Sequence, residues 1–125
     1  MLMTRKELQR LYTRKTELFN TEQALQSLKD SYGKQFNSEG VPERVRRDIL
    51  ALEAKVQLEG KAIEAQTPNA LKTLKQIEDD VARIGAMLHF CEGMPWDVAA
   101  AVLHCTSTSA LKSAVYRGMN RANIQ

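Results

Sequence analysis

The chain has 125 residues, of which 43% are hydrophobic, and it carries a formal net charge of +3. This hydrophobic content excludes a fully disordered chain, and the length suffices for one domain or for a small domain with a helical arm. No apolar run approaches the ~20 residues that span a bilayer, and the first residues lack the apolar core of a signal peptide. We therefore expect a cytoplasmic protein without a membrane partner. Only three prolines and six glycines stand against many Leu, Ala, Lys and Glu residues, which predicts an all-α fold.

The first predicted helix covers residues 4–32. Thr4 followed by Glu7 matches the capping-box pattern of a helix N-terminus. One face is apolar, with residues at spacings of three, four and seven: Leu8, Leu11, Tyr12, Leu18, Phe19, Leu25, Leu28 and Tyr32. Glycine and small polar residues between Gly33 and Gly40 predict a loop after this helix.

The second predicted helix begins at Val41-Pro42-Glu43, with a proline and an acid in its first turn. Its apolar residues follow a heptad pattern, at Val45, Ile49, Leu52, Val56 and Ile63. Two long helices joined by a short loop predict an antiparallel hairpin that resembles a coiled coil. We expect this hairpin to form a homodimer or a higher homo-oligomer.

A third helix is predicted from Pro68 to about Phe90, with Thr67 as its N-cap. Its apolar stripe consists of Leu71, Leu74, Ile77, Val81, Ile84 and Leu88. The three acids at 78–80 are expected on a solvated face of this helix. The pattern divides the chain into a helical dimerisation arm, residues 1–67, and a three-helix head, residues 68–125.

Residues 92–122 read as two short helices joined by a polar turn. Gly93 ends the preceding helix, and Pro95 suits the first turn of the next one. Small and polar residues at 104–109 predict the turn, and the last helix is expected from Thr108 to Asn120. The inward residues of the two helices are expected to be Trp96, Ala99, Ala100, Val102, Leu103, Ala110, Leu111, Ala114, Val115 and Met119. Outward residues are expected to be Lys112, Ser113, Tyr116, Arg117 and Arg121.

The motifs Gly93-Met94-Pro95-Trp96-Asp97, Cys105-Thr106-Ser107 and 111–117 (Leu-Lys-Ser-Ala-Val-Tyr-Arg) resemble the helix-turn-helix of sigma-factor region 4. More closely, the last third of the chain is similar to the small phage and mobile-element transcription regulators of the ArpU/RinA type. Those regulators join an N-terminal helical region to a C-terminal sigma-like helix-turn-helix. The resemblance implies a transcriptional regulator that binds double-stranded DNA with its second short helix in the major groove.

The charge pattern agrees with a polyanionic partner, because no acid follows Asp97 while Lys112, Arg117 and Arg121 are basic. Ordinary solvated surface is the alternative explanation of this pattern. The predicted DNA-binding residues are Ser107, Thr108, Ser109, Lys112, Ser113, Tyr116, Arg117 and Arg121.

Other functions remain open at this stage. The hairpin could be the working part of an assembly protein such as a small terminase subunit, or the head could bind RNA polymerase or another protein. His89, Cys91, His104 and Cys105 are the one candidate metal cluster, but their spacing does not favour convergence on one ion, so neither a metal nor another cofactor is expected. No nucleophile, phosphate-loop or paired-carboxylate motif is present, so we expect a protein that is not an enzyme.

Overall fold

The computed structural model describes residues 2–32 and 41–125, and this part of the chain is all-α, with no β-strand. The predicted fold class is therefore confirmed. The helices are α1 (Arg5–Tyr32), α2 (Glu43–Leu74), α3 (Asp80–Ala86) with a π-helical turn after it (Met87–Cys91), α4 (Trp96–Val102) and α5 (Thr108–Arg121). The predicted loop between Gly33 and Gly40 lies outside the described residues. No helix of the described part is long and apolar enough to cross a membrane.

The start of α1 is a complete capping box, as the sequence predicts. The Thr4 backbone N–H donates to Oε1 of Glu7 at 3.1 Å, and the Glu7 backbone N–H donates to Oγ1 of Thr4 at 3.2 Å. Each side chain thus satisfies one backbone donor that has no partner within the helix.

Helix α2 does not end at Thr67, and the prediction of a new helix from Pro68 is wrong. The helix continues through Pro68 to Leu74, although a proline inside a helix removes one hydrogen bond. Oγ1 of Thr67 donates to the Ile63 carbonyl at 2.7 Å. The continuation buries Ala70 and Leu74 completely, and this burial stabilises the helical path beyond the proline.

The third predicted helix is also interrupted where the sequence predicts continuity. A turn follows Leu74, and α3 begins only at Asp80. Asp79 is its N-cap, and Oδ2 of Asp79 accepts from the Ala82 N–H at 2.9 Å. The turn leaves Ile77 fully buried, and Arg83 donates to the carbonyls of Ile77 and Glu78 at 3.1 Å each.

The interruption changes which face of α3 is buried. Val81 and Ile84, predicted to point inward, are 44% and 42% exposed. The buried residues are instead Ala82, Gly85 and Ala86, followed by His89, Phe90 and Cys91 in the π-helical turn. In one continuous helix, Val81 and Ile84 would lie on the same side as Leu71 and Leu74. Because the helix is interrupted and starts again at Asp80, a different side of it faces the core.

The packing divides the chain into two compact units, and α1 and α2 each run through both. The head unit consists of Met1–Lys15 and Ile63–Gln125, and the hairpin unit is Thr16–Ala62. This division differs from the predicted boundary at Thr67, since the first turns of α1 belong with the C-terminal helices.

The head unit has one core, to which all its helices contribute. Helix α5 packs on α3 and α4, while the start of α1 adds two fully buried leucines. Residues buried there include Leu8, Leu11, Leu74, Ile77, Phe90, Ala99, Leu111, Val115 and Met119. Thr73 is buried with its hydroxyl satisfied, because Oγ1 accepts from the Met3 N–H and donates to the Asn69 carbonyl, both at 2.8 Å.

The hairpin unit pairs α1 with α2. Nζ of Lys29 lies 3.1 Å from Oε1 of Glu53 across the pair, and Ile49 is fully buried. Phe19, predicted on the apolar face of the first helix, is 59% exposed. Phe19 directly follows Leu18 and therefore points about 100° away from it.

Candidate nucleic-acid interface

The turn between α4 and α5 is shaped by a left-handed residue. His104 has φ of 56°. The His104 N–H donates to the Ala101 carbonyl at 3.2 Å, and the Cys105 N–H donates to the Ala100 carbonyl at 2.9 Å. These two bonds form a Schellman motif, which ends α4 and turns the chain sharply toward α5.

Helix α5 starts one residue after Ser107, as the sequence predicts. Oγ of Ser107 accepts from the Ala110 N–H at 3.0 Å, so Ser107 has the role of an N-cap. The backbone N–H groups of Thr108 and Ser109 point out of the first turn, where a helix can donate to an anion. The two short helices and the tight turn between them have the layout of a helix-turn-helix.

The inward face of α5 agrees in part with the prediction. Leu111, Val115 and Met119 are buried, whereas Ala110 is exposed. On α4, Ala99 and Ala100 are buried, but Val102 is 52% exposed, on the same outward face as Val98 one turn earlier, which is 44% exposed. The small alanines leave room for the crossing of α4 with α5.

The outward face of α5 has a neutral centre and basic flanks. Ser109, Ser113, Tyr116 and Asn120 follow at intervals of four, three and four residues, which places them within about 60° around the helix axis. Lys112 lies on one side of this line and Arg117 on the other, and both are exposed. The same six residues border an open depression of about 480 Å³ on the surface: Ser109, Lys112, Ser113, Tyr116, Arg117 and Asn120.

Three of the predicted site residues lie outside this depression. Ser107 and Thr108 are at the N-terminal end of the helix. Arg121 borders a second groove of about 570 Å³, which is also lined by Glu78 and Asp79 of the turn before α3. Arg117 borders both surfaces. The structure thus brings together five of the eight predicted residues and adds Asn120.

Arg5, at the start of α1, contacts the C-terminal end of α5. Its backbone N–H donates to the Gln125 carbonyl at 2.6 Å and its Nε donates to the Ile124 carbonyl at 2.8 Å. Its Nη2 donates to Oδ1 of Asn120, and Cζ lies 5.7 Å from the ring centroid of Tyr116. Sequence reasoning missed both Arg5 and Asn120, because 115 residues separate them and no local pattern links them.

A stack of aromatic rings lies next to Tyr116. His89 is sandwiched between Tyr12 and Trp96, with ring centroids at 4.0 and 3.8 Å and nearly parallel planes. Trp96 in turn has its ring centroid 6.3 Å from that of Tyr116. Nδ1 of His89 donates to the Met94 carbonyl at 2.8 Å, since a carbonyl can only accept.

His89 is uncharged at neutral pH. Burial lowers its pKa from 6.5 to about 4; the hydrogen bond to Met94 opposes this shift, and the positive charge of Lys112 adds to it. His89 is therefore an internal packing residue, and Trp96 lies between it and Tyr116 of the α5 surface.

The sulfur and imidazole groups do not form a metal site. Among the described residues, no group of three or more His, Cys, Asp or Glu side chains lies close enough to hold an ion. Cys91 is buried, and burial together with the neighbouring Glu92 carboxylate raises the pKa of its thiol to about 11. This thiol is therefore a poor nucleophile and a poor metal ligand near neutral pH.

Comparison with known proteins yields no relative: no family model, no curated protein and no solved structure matches the chain. The features of the protein that bear on its function are therefore the geometry and the charges of the α4–α5 surface.

Proposed function

We propose that this protein binds double-stranded DNA by placing α5 in the major groove, and that it acts as a transcriptional regulator of the phage or mobile-element type. The main observation behind the proposal is the positive charge of the outward face of α5. Every basic residue after Asp97 is exposed on this helix, and no acid occurs in the same stretch of chain.

The arrangement of side chains suits the chemistry of a groove. A recognition helix meets base edges with its central outward residues and phosphates with its flanks. Ser109, Ser113 and Tyr116 occupy the centre, and hydroxyl groups bond either to base edges or to phosphates. Lys112 and Arg117 lie on opposite flanks, where each would face one strand of the duplex.

The N-terminal end of α5 supports the same orientation. Ser107 uses its side chain to cap the helix, so the N–H groups of Thr108 and Ser109 remain for a phosphate. The positive end of the helix dipole adds to this attraction. Arg121 would contribute a further phosphate contact beyond the end of the central depression.

Dimerisation through the hairpin unit is part of the proposal. A single helix with three positive charges binds weakly, whereas two linked heads raise the effective concentration of the second contact. Leu50 and Leu58 of α2 are 61% and 70% exposed. Large exposed apolar side chains favour burial against another chain, and we propose that this chain is a second copy of the protein.

The second candidate is an assembly protein whose working part is the hairpin unit, such as a small terminase subunit. The same exposed leucines favour it, since they would then serve a larger oligomer. An adaptor whose head unit binds RNA polymerase or another protein is a third candidate. The adaptor requires no contact between α5 and DNA, and the assembly protein requires at most a weak one.

The deciding experiment is a fluorescence anisotropy titration of a generic duplex at several salt concentrations. The double variant Lys112→Ala/Arg117→Ala removes two exposed charges without touching the core. We expect at least a tenfold loss of affinity at low salt and a salt slope smaller by about 2, because each phosphate contact contributes about 0.9 to the slope.

A matched control is Lys55→Ala/Lys61→Ala, which removes the same charge from exposed positions of the hairpin unit. It should retain most of the wild-type affinity. If the wild-type protein binds no duplex at low salt, or if both double variants lose affinity equally, the assignment of α5 as recognition helix is wrong.

A further inference from the structure

Asn120 is the residue of the α5 surface whose hydrogen-bonding capacity is already partly used. Its side chain is exposed and borders the depression with Ser113 and Arg117. Nη2 of Arg5 donates to its amide group. A guanidinium has only donors, so the atom of Asn120 that faces Arg5 must be the oxygen Oδ1.

Arg5 itself is held firmly in place. Its backbone N–H and its Nε bond to the carbonyls of Gln125 and Ile124 at 2.6 and 2.8 Å. Ile124 is buried, and a second Schellman motif supports this segment, with the Ile124 N–H donating to the Met119 carbonyl at 2.9 Å. The position of the guanidinium is therefore set by several contacts besides Asn120.

The orientation of the Asn120 amide has a consequence for base recognition. A free asparagine reads adenine with both atoms: Oδ1 accepts from the adenine N6 amino group while Nδ2 donates to N7. The bond to Arg5 occupies one of the two lone pairs of Oδ1. The positive guanidinium beside the second lone pair disfavours the approach of another donor such as the adenine amino group, so the NH₂ group of Asn120 is left as its main contact to a base. Such a donor suits guanine, whose major-groove edge presents two acceptors, N7 and O6, and it opposes the amino group of adenine.

We propose that Arg5 is a positioning residue of the DNA interface, which makes Asn120 select guanine over adenine at the C-terminal end of α5. The inference rests on the proposed function, because it assumes that this face of α5 meets the major groove. It adds to that function the base that Asn120 prefers, guanine, and the residue of α1 that determines this preference, Arg5.

The experiment is a selection of duplexes from a randomised library, followed by sequencing, with the wild-type protein and three variants. The position read by Asn120 is the one whose base preference disappears in Asn120→Ala. At that position the wild-type protein should prefer guanine over adenine by about tenfold, the range expected for a good base contact. Arg5→Ala should reverse the preference toward adenine.

Asn120→Asp tests the same idea without removing Arg5. The carboxylate still accepts from Arg5 but has no donor, so the guanine preference should be replaced by a preference for the cytosine amino group. Two controls match the changes in charge. Arg10→Ala removes an exposed arginine of α1, and Asn123→Asp adds a carboxylate three residues further along; neither should change the base preference at this position.

A nuclear magnetic resonance spectrum of the side-chain amides separates the possible failures. The Asn120 NH₂ resonances should shift in Arg5→Ala and stay in place in Arg10→Ala, with or without DNA. If the wild-type protein selects no sequence, the proposed function fails even where these shifts appear. If it selects a sequence in which the Asn120 position prefers adenine, or keeps its guanine preference in Arg5→Ala, the role of Arg5 is overturned while DNA binding stands.

Discussion

Single residues at helix ends determine the path of the chain in the head unit. Gly93, His104 and Asn123 all have positive φ values, of 73°, 56° and 59°. Each follows a helix, and each lets the next residues bond back to the last helical carbonyls. Glycine adopts this conformation without cost, whereas histidine pays a steric penalty of about 1 kcal/mol. The turn before α5 therefore contains a residue held in place by its hydrogen bonds.

His89 is the residue that makes the stability of the head depend on pH. Its folded-state pKa is about 4, against 6.5 for a free side chain. Between these values the unfolded chain binds a proton that the folded chain excludes, so the contribution of His89 to stability is full above pH 6.5 and is lost as the pH drops toward 4. The loss should reach about 2–3 kcal/mol at pH 4.5, since one pKa unit corresponds to about 1.4 kcal/mol.

Urea denaturation at pH 7.5 and 4.5 measures this loss. His89→Phe keeps a ring in the stack but cannot be protonated, so the wild-type protein should lose about 2–3 kcal/mol more than this variant over the interval. His104→Asn, which removes the exposed histidine and tolerates the left-handed conformation, should behave like the wild type. Equal losses for the wild type and His89→Phe would contradict the buried, neutral state of His89.

At the scale of the element, close approach decides how α5 packs. A Cβ atom added at Gly118 would lie 2.8 Å from Cγ2 of Ile77 and 3.4 Å from Cβ of Ala82. Ile77 is fully buried and branched at Cβ, so its Cγ2 moves only if the whole side chain rotates. The turn before α3 and the C-terminal half of α5 therefore pack against each other without room for one methyl group.

Gly118→Ala should therefore destabilise the protein by about 1–2 kcal/mol, because overpacking a tight core exceeds the gain in helix propensity. Gly60→Ala is the matched comparison, since it makes the same change inside α2 with no atom within 4 Å of the new Cβ. It should stabilise the protein by about 0.5–1 kcal/mol. Thermal and urea denaturation of both variants measure the two effects. A stabilised Gly118→Ala would show that Ile77 moves away from α5 without loss of packing, which contradicts a tight crossing.

At the scale of the whole molecule, the chain consists of two units with different surfaces. The head unit has a closed core, and its exposed large apolar side chains are 41–52% exposed: Leu2, Val81, Ile84, Val98 and Val102. The hairpin unit pairs two helices and leaves Phe19, Leu50 and Leu58 more than half exposed. Two helices alone bury little surface for their length, which favours burial of these side chains against another chain.

Leu50→Lys/Leu58→Lys should turn a wild-type dimer or higher oligomer into a monomer, because four or more lysines would meet in the interface. Both side chains are exposed, so the monomer fold should persist. Sedimentation velocity across a range of concentrations measures the change, with circular dichroism as the check on folding. Asn20→Lys/Ser31→Lys adds the same charge at exposed polar positions of α1 that lie about 100° or more around the helix axis from Phe19, and this variant should remain oligomeric. A wild-type protein that is monomeric at every concentration would refute the oligomer.

The sequence by itself determined the features that depend on neighbouring residues. Thr4 with Glu7 predicts the start of α1, and the small and polar residues at 104–109 predict the start of α5 at Thr108. The spacing of Leu111, Val115 and Met119 predicts the buried face of α5. Capping bonds and helical periodicity act over three or four residues, so a local pattern contains them. Most of the depression on α5, from Ser109 to Arg117, could be predicted for the same reason.

Only the tertiary structure decided the features that depend on distant residues. The helix continues past Pro68 because Ala70 and Leu74 are buried in the head, and it ends at Leu74, where the chain turns and buries Ile77. The contacts of Arg5 with Asn120 and Tyr116, and the stack of His89 between Tyr12 and Trp96, likewise join opposite ends of the chain. At these positions burial and long-range hydrogen bonds outweigh the local helix propensity. No short segment of the sequence predicts these contacts, because the residues that make them are far apart in the chain.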